Sequence, residues 1–309
     1  MNSPVVTVPD ERWLELWPAG EEPVDIRLWD MRESTSLEPV MVVLPYMGTS
    51  EVLPRLAELP SLRVVQTLSA GYENVLPHVP DGVTLATGAG IHDASTAELA
   101  VGLAVGALRG FPDFVRAAER GVWASGTRPA LADRRVLVVG VGGIGSAIIA
   151  RLEPFEVSVT RVGTRARDDE HGHVHGVDEL PELLPRHEVV VLATPLTDTT
   201  RGLVDARFLA AMPDGALLVN VSRGPVVVTD ALVAELEAGR LVAGLDVTDP
   251  EPLPADHPLW RAPNVLISPH VGGDTSAFPP RARALLKDQF ERFAAGRDLR
   301  NVVSPRSTR

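Results

Sequence analysis

The sequence predicts an α/β fold, and three observations carry that prediction. Short β-branched runs alternate with helical patterns along the whole chain, which is typical of βαβ units and parallel sheets. Six strand-like runs follow one another in the second part of the chain, the number found in a doubly wound sheet. With 309 residues the chain exceeds the usual size of one domain, so we expect two.

The first series of elements predicts one small sheet. Its strands are expected at 41–44, 63–68 and 83–86, with a helical pattern at 51–59. A long and almost uniformly apolar helix is then predicted at 95–108. Ser95 with Glu98 three residues later resembles a capping box at the start of this helix.

The second series predicts a larger sheet. Its strands are expected at 136–139, 157–162, 189–193, 216–221, 241–247 and 265–268. A final helical pattern covers 281–294. No internal repeat interrupts this order.

Composition excludes several classes of protein. Apolar residues make up 45% and charged residues 23%, as in folded globular chains. The formal charge of −12 disfavours nucleic acid and anionic membranes as partners. The absence of cysteine excludes disulfides, thiolate metal sites and cysteine nucleophiles. We therefore expect a soluble, cytoplasmic protein without a membrane span.

A glycine-rich turn follows the strand at 136–139 and opens a helix. In the sequence GVGGIG at 140–145, Gly140 permits a tight turn, Gly142 admits a pyrophosphate and Gly145 permits close packing of helix on strand. Unpaired N–H groups at a helix start attract the anion. The pattern predicts a dinucleotide site, the alternative being a turn without a ligand.

The residues after the next strand favour NADP(H) over NAD(H). A carboxylate that would bind the ribose 2′-hydroxyl is missing there. Thr164, Arg165 and Arg167 occupy its place, and arginines suit a 2′-phosphate. The alternative is an exposed basic loop.

Three later strands end next to residues that carry chemistry. Arg223, Glu251 and His270 follow the strands at 216–221, 241–247 and 265–268. Ligands in open α/β sheets bind at the carboxyl ends of strands, so these side chains are expected to share one edge. A histidine beside a glutamate suits proton delivery near neutral pH, and arginine offers a fork for a carboxylate.

These motifs together resemble the D-isomer-specific 2-hydroxyacid dehydrogenases. The resemblance rests on the glycine turn, on 220–224 (NVSRG), on 246–252 and on 268–273 (SPHVGG), in matching order and spacing. The segments 68–72 and 97–98 also look like family segments, so the resemblance covers nearly the whole chain.

The resemblance implies an enzyme that transfers a hydride between NAD(P)H and a small 2-keto acid or D-2-hydroxy acid. Arg223 would bind the substrate carboxylate and polarise its keto oxygen, His270 would be the acid/base and Glu251 its partner. The segment Ser69, Ala70 and Gly71 would bind the substrate through its backbone. The implied cofactor contacts are Thr96, Gly140, Gly142, Gly143, Ile144, Gly145, Thr164, Arg165, Arg167, Thr194, Pro195, Val221, Asp246 and Gly272.

The resemblance also implies an organisation. A Rossmann dinucleotide-binding domain at 98–281 would be inserted into a smaller flavodoxin-like substrate domain at 1–97 plus 282–309. The active site would lie in the cleft between them. Members are commonly homodimers, and Trp123 would take part in the contact. Glyoxylate and hydroxypyruvate are plausible substrates.

Two departures from the family pattern stand out, and alternatives stay open. The acidic residue of the NAD-dependent members is absent, and so is the asparagine that most members carry near Thr87. Glutamate at position 251 argues against the formate-oxidising branch.

A non-catalytic dinucleotide-sensing corepressor or scaffold would share the fold, and phosphite would be a possible alternative hydride donor. The histidines at 171, 173 and 175 invite a metal site, but we expect no metal because such runs are usually solvated.

Overall fold

The computed structural model of the chain describes residues 3–47 and 50–303. The chain divides into two compact units. The first comprises Met1–His92 and Ser276–Arg309, and the second comprises Asp93–Thr275. The second unit is therefore an insertion in the sequence of the first.

The strands of the described residues, in chain order, are β1 (Val5–Val8), β2 (Asp25–Leu28), β3 (Met41–Val43), β4 (Val64–Gln66), β5 (Thr84–Ala86), β6 (Arg135–Val139), β7 (Ser158–Gly163), β8 (Arg167–Asp169), β9 (Gly172–Gly176), β10 (Val189–Leu192), β11 (Leu217–Asn220), β12 (Val242–Leu245) and β13 (Val265–Ile267). The α-helices are α1 (Asp93–Arg109), α2 (Phe111–Glu119), α3 (Gly143–Leu152), α4 (Leu180–Leu183), α5 (Ala206–Ala211), α6 (Thr229–Glu237) and α7 (Phe278–Ala294). None of the described helices combines the length and apolar character that crossing a membrane requires.

The first unit is built on a parallel sheet of five strands in the order β2-β1-β3-β4-β5. This is the flavodoxin-like order. The strand β3 is buried along its whole length, which a parallel sheet achieves when both of its faces are covered. One face packs against α7 through Phe278, Leu286 and Phe290.

The second unit is built on a sheet of eight strands in the order β13-β12-β11-β10-β6-β7-β9-β8. Only β8 runs antiparallel to its neighbour in the described sheet. The helices α1 and α3 contribute Leu103 and Ile148 to one apolar cluster, and α5 and α6 contribute Leu209 and Leu232 to another. The predicted fold class, two doubly wound α/β domains with a Rossmann-like and a flavodoxin-like sheet, is confirmed.

Some elements differ from their prediction. The helix expected at 51–59 is a short 3-10 helix, Leu53–Glu58, whose first turn contains Pro54. Helix α1 begins at Asp93, so Ser95 lies inside its first turn and the predicted capping-box start is wrong. The hairpin of β8 and β9 was not predicted, because β8 is fully exposed and charged.

Candidate active site

The glycine-rich turn connects β6 to α3, and two of its glycines are required by close contacts. Gly140 has a φ of +104°, which only glycine adopts readily, and a Cβ there would lie 2.4 Å from the carbonyl oxygen of Ala193. A Cβ on Gly145 would lie 1.8 Å from the carbonyl oxygen of Gly140. Any side chain at either position would therefore push helix and strand apart.

A third glycine of this turn faces open space. A Cβ on Gly142 would meet nothing within 4 Å, and Gly142 offers no side-chain cap to the first turn of α3. The leading N–H groups of a helix have no partners within it and attract an anion. Ile144 lies in this first turn. A Cβ on Gly143 would lie 2.2 Å from Oδ2 of Asp93, so the start of α1 lies against this turn. The turn can therefore accept a pyrophosphate at Gly142.

Thr194 gives an independent sign of a ligand next to this turn. Its hydroxyl is buried and has no hydrogen-bond partner in the part of the chain that the structure describes. A Cβ on Gly140 would lie 2.9 Å from the Thr194 nitrogen, so the two residues are adjacent. A buried hydroxyl without a partner is costly, so a ligand that bonds to it fits the site. The neighbouring Pro195 carbonyl accepts from the Thr200 hydroxyl at 2.6 Å.

Among the described residues, one arginine within β7 is paired with a carboxylate, whereas two arginines that follow the strand are not. Arg161 donates to Asp169 at 2.8 Å, and this hydrogen bond is the main reason why the pKa of Asp169 is lowered to about 2. Arg165 and Arg167 are exposed, and neither pairs with a carboxylate of the described residues. Thr164 is exposed beside them. Within the described part of the chain, the Arg167 guanidinium donates only to the Arg165 carbonyl, at 3.4 Å, so both guanidinium groups have N–H donors left for an anion.

Arg223 is held by the turn that follows β11. The side chain of the buried Asn220 donates to the Arg223 carbonyl at 3.1 Å and accepts from the Ser222 N–H at 3.0 Å. The guanidinium donates to the Ser222 carbonyl at 2.7 Å. A Cβ on Gly224 would lie 1.8 Å from the Thr248 carbonyl oxygen, so this turn lies against the segment that leads to Glu251. The intervening Val221 is buried.

His270 and Glu251 form a direct hydrogen bond between Nδ1 and Oε1. His270 has a φ of 53°, in the left-handed region that non-glycine residues seldom adopt, and its N–H donates to the Asp246 carbonyl at 2.8 Å. A strained residue at a strand end is typical of functional sites. The second ring nitrogen, Nε2, is the atom of His270 that could meet a substrate.

The electrostatics of Glu251 show that the cationic groups act on it together. Burial alone would raise the pKa of this carboxyl. The hydrogen bond and charge of His270, a backbone hydrogen bond from Thr248 and the charge of Arg223 together outweigh burial and leave the pKa of Glu251 below its ordinary value. The structure therefore brings Arg223, Glu251 and His270 into one electrostatic neighbourhood within the second unit.

Asp246 positions the loop that carries His270. Its buried carboxylate accepts from the Ser268 hydroxyl at 2.7 Å and from the N–H groups of Val271 and Gly272, each at 2.9 Å. A Cβ on Gly272 would lie 3.4 Å from Oγ1 of Thr96, so α1 approaches the same loop. This positioning role, like that of Asn220, was not predicted from the sequence. A polar residue at the end of an apolar run was the sequence signal that could have drawn attention to both residues, although not to their partners.

In the first unit, the segment Ser69, Ala70 and Gly71 follows Leu68, which lies two residues after the end of β4. The Ser69 hydroxyl donates to the Gly71 carbonyl at 2.7 Å, and the Ser69 carbonyl accepts from the Gly88 N–H at 2.8 Å. The N–H groups of Ala70 and Gly71 have no recorded partner within residues 3–47 and 50–303. A turn with its carbonyls bonded and its N–H groups available can bind a carboxylate.

His92 has a structural position in the same unit. It is buried in a cluster of three rings with Tyr46 and Phe278, its ring centroid 5.2 Å from each of theirs, and it hydrogen bonds to the Leu68 carbonyl at 2.8 Å. It therefore supports the segment that precedes Ser69.

Comparison with known proteins adds independent findings. A family model described as D-isomer specific 2-hydroxyacid dehydrogenase, NAD binding domain, matches residues 101–272. The human glyoxylate reductase/hydroxypyruvate reductase is 35% identical over 226 residues, which cover 70% of this chain and 69% of that protein. The glyoxylate reductase of Thermofilum pendens is 32% identical over 270 residues, 84% of this chain and 77% of that protein.

A solved structure matches over both units. It is a D-isomer specific 2-hydroxyacid dehydrogenase from Xanthobacter autotrophicus Py2 in complex with NADPH and MES. It is 30% identical, covers 99% of each chain and has a TM-score of 0.81. None of these matches favours the non-catalytic corepressor alternative.

Proposed function

Because the chain belongs to the D-isomer specific 2-hydroxyacid dehydrogenase family, we propose that it reduces small 2-keto acids to D-2-hydroxy acids with NADPH. The observation that carries this proposal is the hydrogen-bonded pair of His270 and Glu251 within the field of Arg223. A general acid and a carbonyl-binding cation are the two groups that reduction of a keto acid requires.

The proposed cofactor site lies along the edge formed by β6, β7 and β10. The turn at Gly142 would hold the pyrophosphate, and the partnerless hydroxyl of Thr194 fits a contact beside it. Arg165 and Arg167, with Thr164, would bind a 2′-phosphate, which supports NADPH over NADH. The matched Xanthobacter structure contains NADPH. The remaining proposed contacts are Thr96, Gly140, Gly143, Ile144, Gly145, Pro195, Val221, Asp246 and Gly272.

In the proposed mechanism this chain's residues manage the charge and the proton. When bound, the reduced nicotinamide supplies a hydride to the carbonyl carbon. Arg223 stabilises the negative charge that develops on the oxygen, and His270 donates a proton to that oxygen from Nε2. Glu251 holds the ring through Nδ1, so that Nε2 is the atom presented to the substrate.

The proposed substrate is a short 2-keto acid. Its carboxylate would be held by Arg223 and by the N–H groups of Ala70 and Gly71, with Ser69 fixing the turn. Glyoxylate and hydroxypyruvate are the compounds in the names of the human relative, and they have this chemistry.

The proposal extends to organisation. We assign substrate binding to 1–97 plus 282–309 and dinucleotide binding to 98–281, and we place the enzyme in the cytoplasm as a homodimer. The exposed apolar side chains of α2 and the segment after it support the dimer. They are Phe111, Phe114, Val115, Val122 and Trp123, and Trp123 is 95% exposed.

The experiment that tests the proposal is a turnover assay. NADPH and NADH are each mixed with the protein and with glyoxylate, hydroxypyruvate, pyruvate or a larger 2-keto acid, and loss of the reduced cofactor is followed by absorbance. We expect turnover of the short acids, faster with NADPH. Binding of NADPH without turnover of any 2-keto acid would contradict the proposal.

A further inference from the structure

A hairpin at the edge of the second unit brings imidazoles and carboxylates together outside the proposed active site. Its strands β8 and β9 are antiparallel, and Asp168 is directly opposite His173. His175 lies two residues further along β9, and Glu179 ends the 3-10 helix that follows. We call Asp168, His173, His175 and Glu179 the hairpin histidine cluster.

The two histidines of this cluster lie on the same face of β9. Side chains alternate along a strand, and Val174 between them is buried in the core while His173 is exposed and His175 half-buried. Their ring centroids are 4.5 Å apart, with an angle of 87° between the rings. The strand therefore presents two adjacent imidazoles to one side.

Each imidazole is oriented by its own carboxylate. Nδ1 of His173 lies 2.9 Å from Oδ1 of Asp168, and Nδ1 of His175 lies 2.7 Å from Oε2 of Glu179. A carboxylate accepts, so Nδ1 carries the proton and Nε2 of the neutral ring presents a lone pair. Neither Nε2 atom has a hydrogen-bond partner among the described residues. Histidine ligands of metals are commonly oriented through such carboxylates.

The cluster is also held by the backbone. Oε1 of Glu179 accepts from the Gly176 N–H at 2.7 Å, which ties the 3-10 helix to the end of β9. Asp168 and His173 are already ordered by the pairing of β8 with β9, so less conformational entropy would be lost when they bind a ligand.

The sequence alone favoured a solvated run here, but on the geometry of the structure we propose that the hairpin histidine cluster binds a divalent transition-metal ion of the Zn²⁺ class. Nε2 of His173 and Nε2 of His175 would be the protein ligands, while Asp168 and Glu179 would stay hydrogen-bonded to Nδ1 of the two rings. One potential ligand atom from each of His173, His175 and Glu179 lies within 4.8 Å of the others, so the cluster is compact. A tetrahedral zinc ion with nitrogen ligands at 2.0–2.1 Å needs its two nitrogens about 3.3 Å apart, so the rings would adjust on binding. Water completes the coordination at this exposed edge.

The ligand set selects the class of metal. Imidazole nitrogens suit Zn²⁺, Cu²⁺ and Ni²⁺, whereas Mg²⁺ and Ca²⁺ prefer oxygen ligands throughout. The site lies in the β8–β9 hairpin and includes none of Arg223, Glu251 or His270. Arg167, a proposed cofactor contact, begins β8, but side chains alternate along a strand, so it faces the Val174 side and the cluster faces the other.

The test is calorimetric titration of the full-length, metal-free protein with ZnCl₂, without cofactor or substrate. We expect binding of one Zn²⁺ per chain, and no binding of Mg²⁺. The variants His173→Ala and His175→Ala each weaken Zn²⁺ binding by at least about tenfold. Asp168→Asn, which changes only a partner of the imidazole, weakens it by about 10- to 100-fold.

Two histidines outside the cluster provide matched controls. His171 lies in the turn of the same hairpin, and His78 is exposed in the first unit. His171→Ala and His78→Ala are expected to bind Zn²⁺ like the parent protein. Circular dichroism checks that each variant is folded, and a Zn²⁺-dependent rise in melting temperature that folded His175→Ala lacks gives a second readout.

Some outcomes overturn the proposal. Absence of Zn²⁺ binding by the parent protein does so, and so does unchanged affinity in folded His173→Ala and His175→Ala. An equal loss of affinity in His171→Ala would show unspecific binding by the loop rather than this cluster. Because neither NADPH nor a keto acid is present, these outcomes leave the proposed reductase function untouched.

Discussion

At the scale of single residues, His270 shows how one backbone conformation can aim a reactive ring. Its left-handed φ of 53° is held by a hydrogen bond to the Asp246 carbonyl, and the Asp246 carboxylate fixes the next two N–H groups. The ring is then held by Glu251 through Nδ1. At least four hydrogen bonds hold this residue and its loop, and Nε2 is the ring atom that the proposed mechanism uses.

Replacement of the proposed acid tests this arrangement. We predict that His270→Ala lowers kcat for glyoxylate reduction by about 10²- to 10⁴-fold, because a positioned proton donor is lost. The dissociation constant of NADPH, measured by fluorescence titration, should change little. His78→Ala, an exposed histidine of the first unit, serves as the control and should keep full activity. Normal kcat in His270→Ala would remove His270 from the mechanism.

The partner carboxylate gives a prediction for the pH dependence. The pKa of Glu251 lies below its ordinary value, so Glu251 stays ionised until the pH falls below that value. We predict that kcat/KM of the parent protein for keto-acid reduction declines as the pH falls through the lowered pKa of Glu251, because protonation removes the charged partner of His270. Glu251→Gln has no carboxylate at any pH, so its kcat/KM is lower by at least about tenfold and lacks this decline.

The pH–rate profiles of the two proteins provide this measurement. The same acid-side decline in both proteins would mean that the decline does not come from Glu251.

At the scale of elements, the β6–turn–α3 unit separates two roles that glycine can have. Gly145 is required by packing, since its Cβ would overlap the Gly140 carbonyl, whereas Gly142 faces empty space with an ordinary φ of −76°. One glycine therefore supports the fold, and the other keeps space for a ligand.

A pair of alanine variants distinguishes these roles. We predict that Gly145→Ala lowers the free energy of unfolding by about 1 to 3 kcal/mol, because helix and strand must separate. Gly142→Ala should change it by no more than about 0.5 kcal/mol but weaken NADPH binding at least about tenfold. Denaturant unfolding and fluorescence titration measure the two quantities. Tight NADPH binding by Gly142→Ala would argue against a pyrophosphate at this turn.

The elements that the sequence predicted well are those with strong apolar runs. All nine predicted strands occur, with ends displaced by at most two residues, because runs such as Val189–Leu192 are buried on both faces and carry the signal in their composition. The glycine turn was also predictable, since its spacing follows from steric needs. The strand-end positions of Arg223, Glu251 and His270 could be expected from the edge rule for parallel sheets.

Other features depend on tertiary structure and left weak signals. The edge strand β2 is half exposed, and β8 consists of charged residues, so neither shows a hydrophobic pattern. The supporting hydrogen bonds of Asn220 and Asp246 join residues whose geometry no sequence pattern specifies. The roles of the predicted site residues therefore stay proposals that the variants above test.

At the scale of the whole molecule, an acidic protein is proposed to bind an anionic cofactor and an anionic substrate. The formal charge of −12 repels both at long range, so binding depends on local cations and N–H groups. In this proposal Arg165, Arg167 and Arg223 would supply the cations, and the start of α3 and the turn at Ala70 would supply N–H groups.

The exposed apolar surface around α2 gives a prediction for the assembly. We predict a homodimer by light scattering, and we expect Trp123→Ser to shift the equilibrium toward monomer because a large apolar side chain leaves the contact. Trp260→Ser is the matched control, since Trp260 is 49% exposed elsewhere in the second unit. A parent protein that is monomeric at all concentrations would contradict the prediction.

The most direct test of the central claim follows the hydride itself. The protein is incubated with glyoxylate, or with hydroxypyruvate, and NADPH carrying deuterium at the transferable position. Mass spectrometry and chiral chromatography then examine the product. The account predicts a 2-hydroxy acid with one deuterium on its former carbonyl carbon, as the D enantiomer in the case of hydroxypyruvate. Product without deuterium, the L enantiomer, or no product from any short 2-keto acid would contradict it.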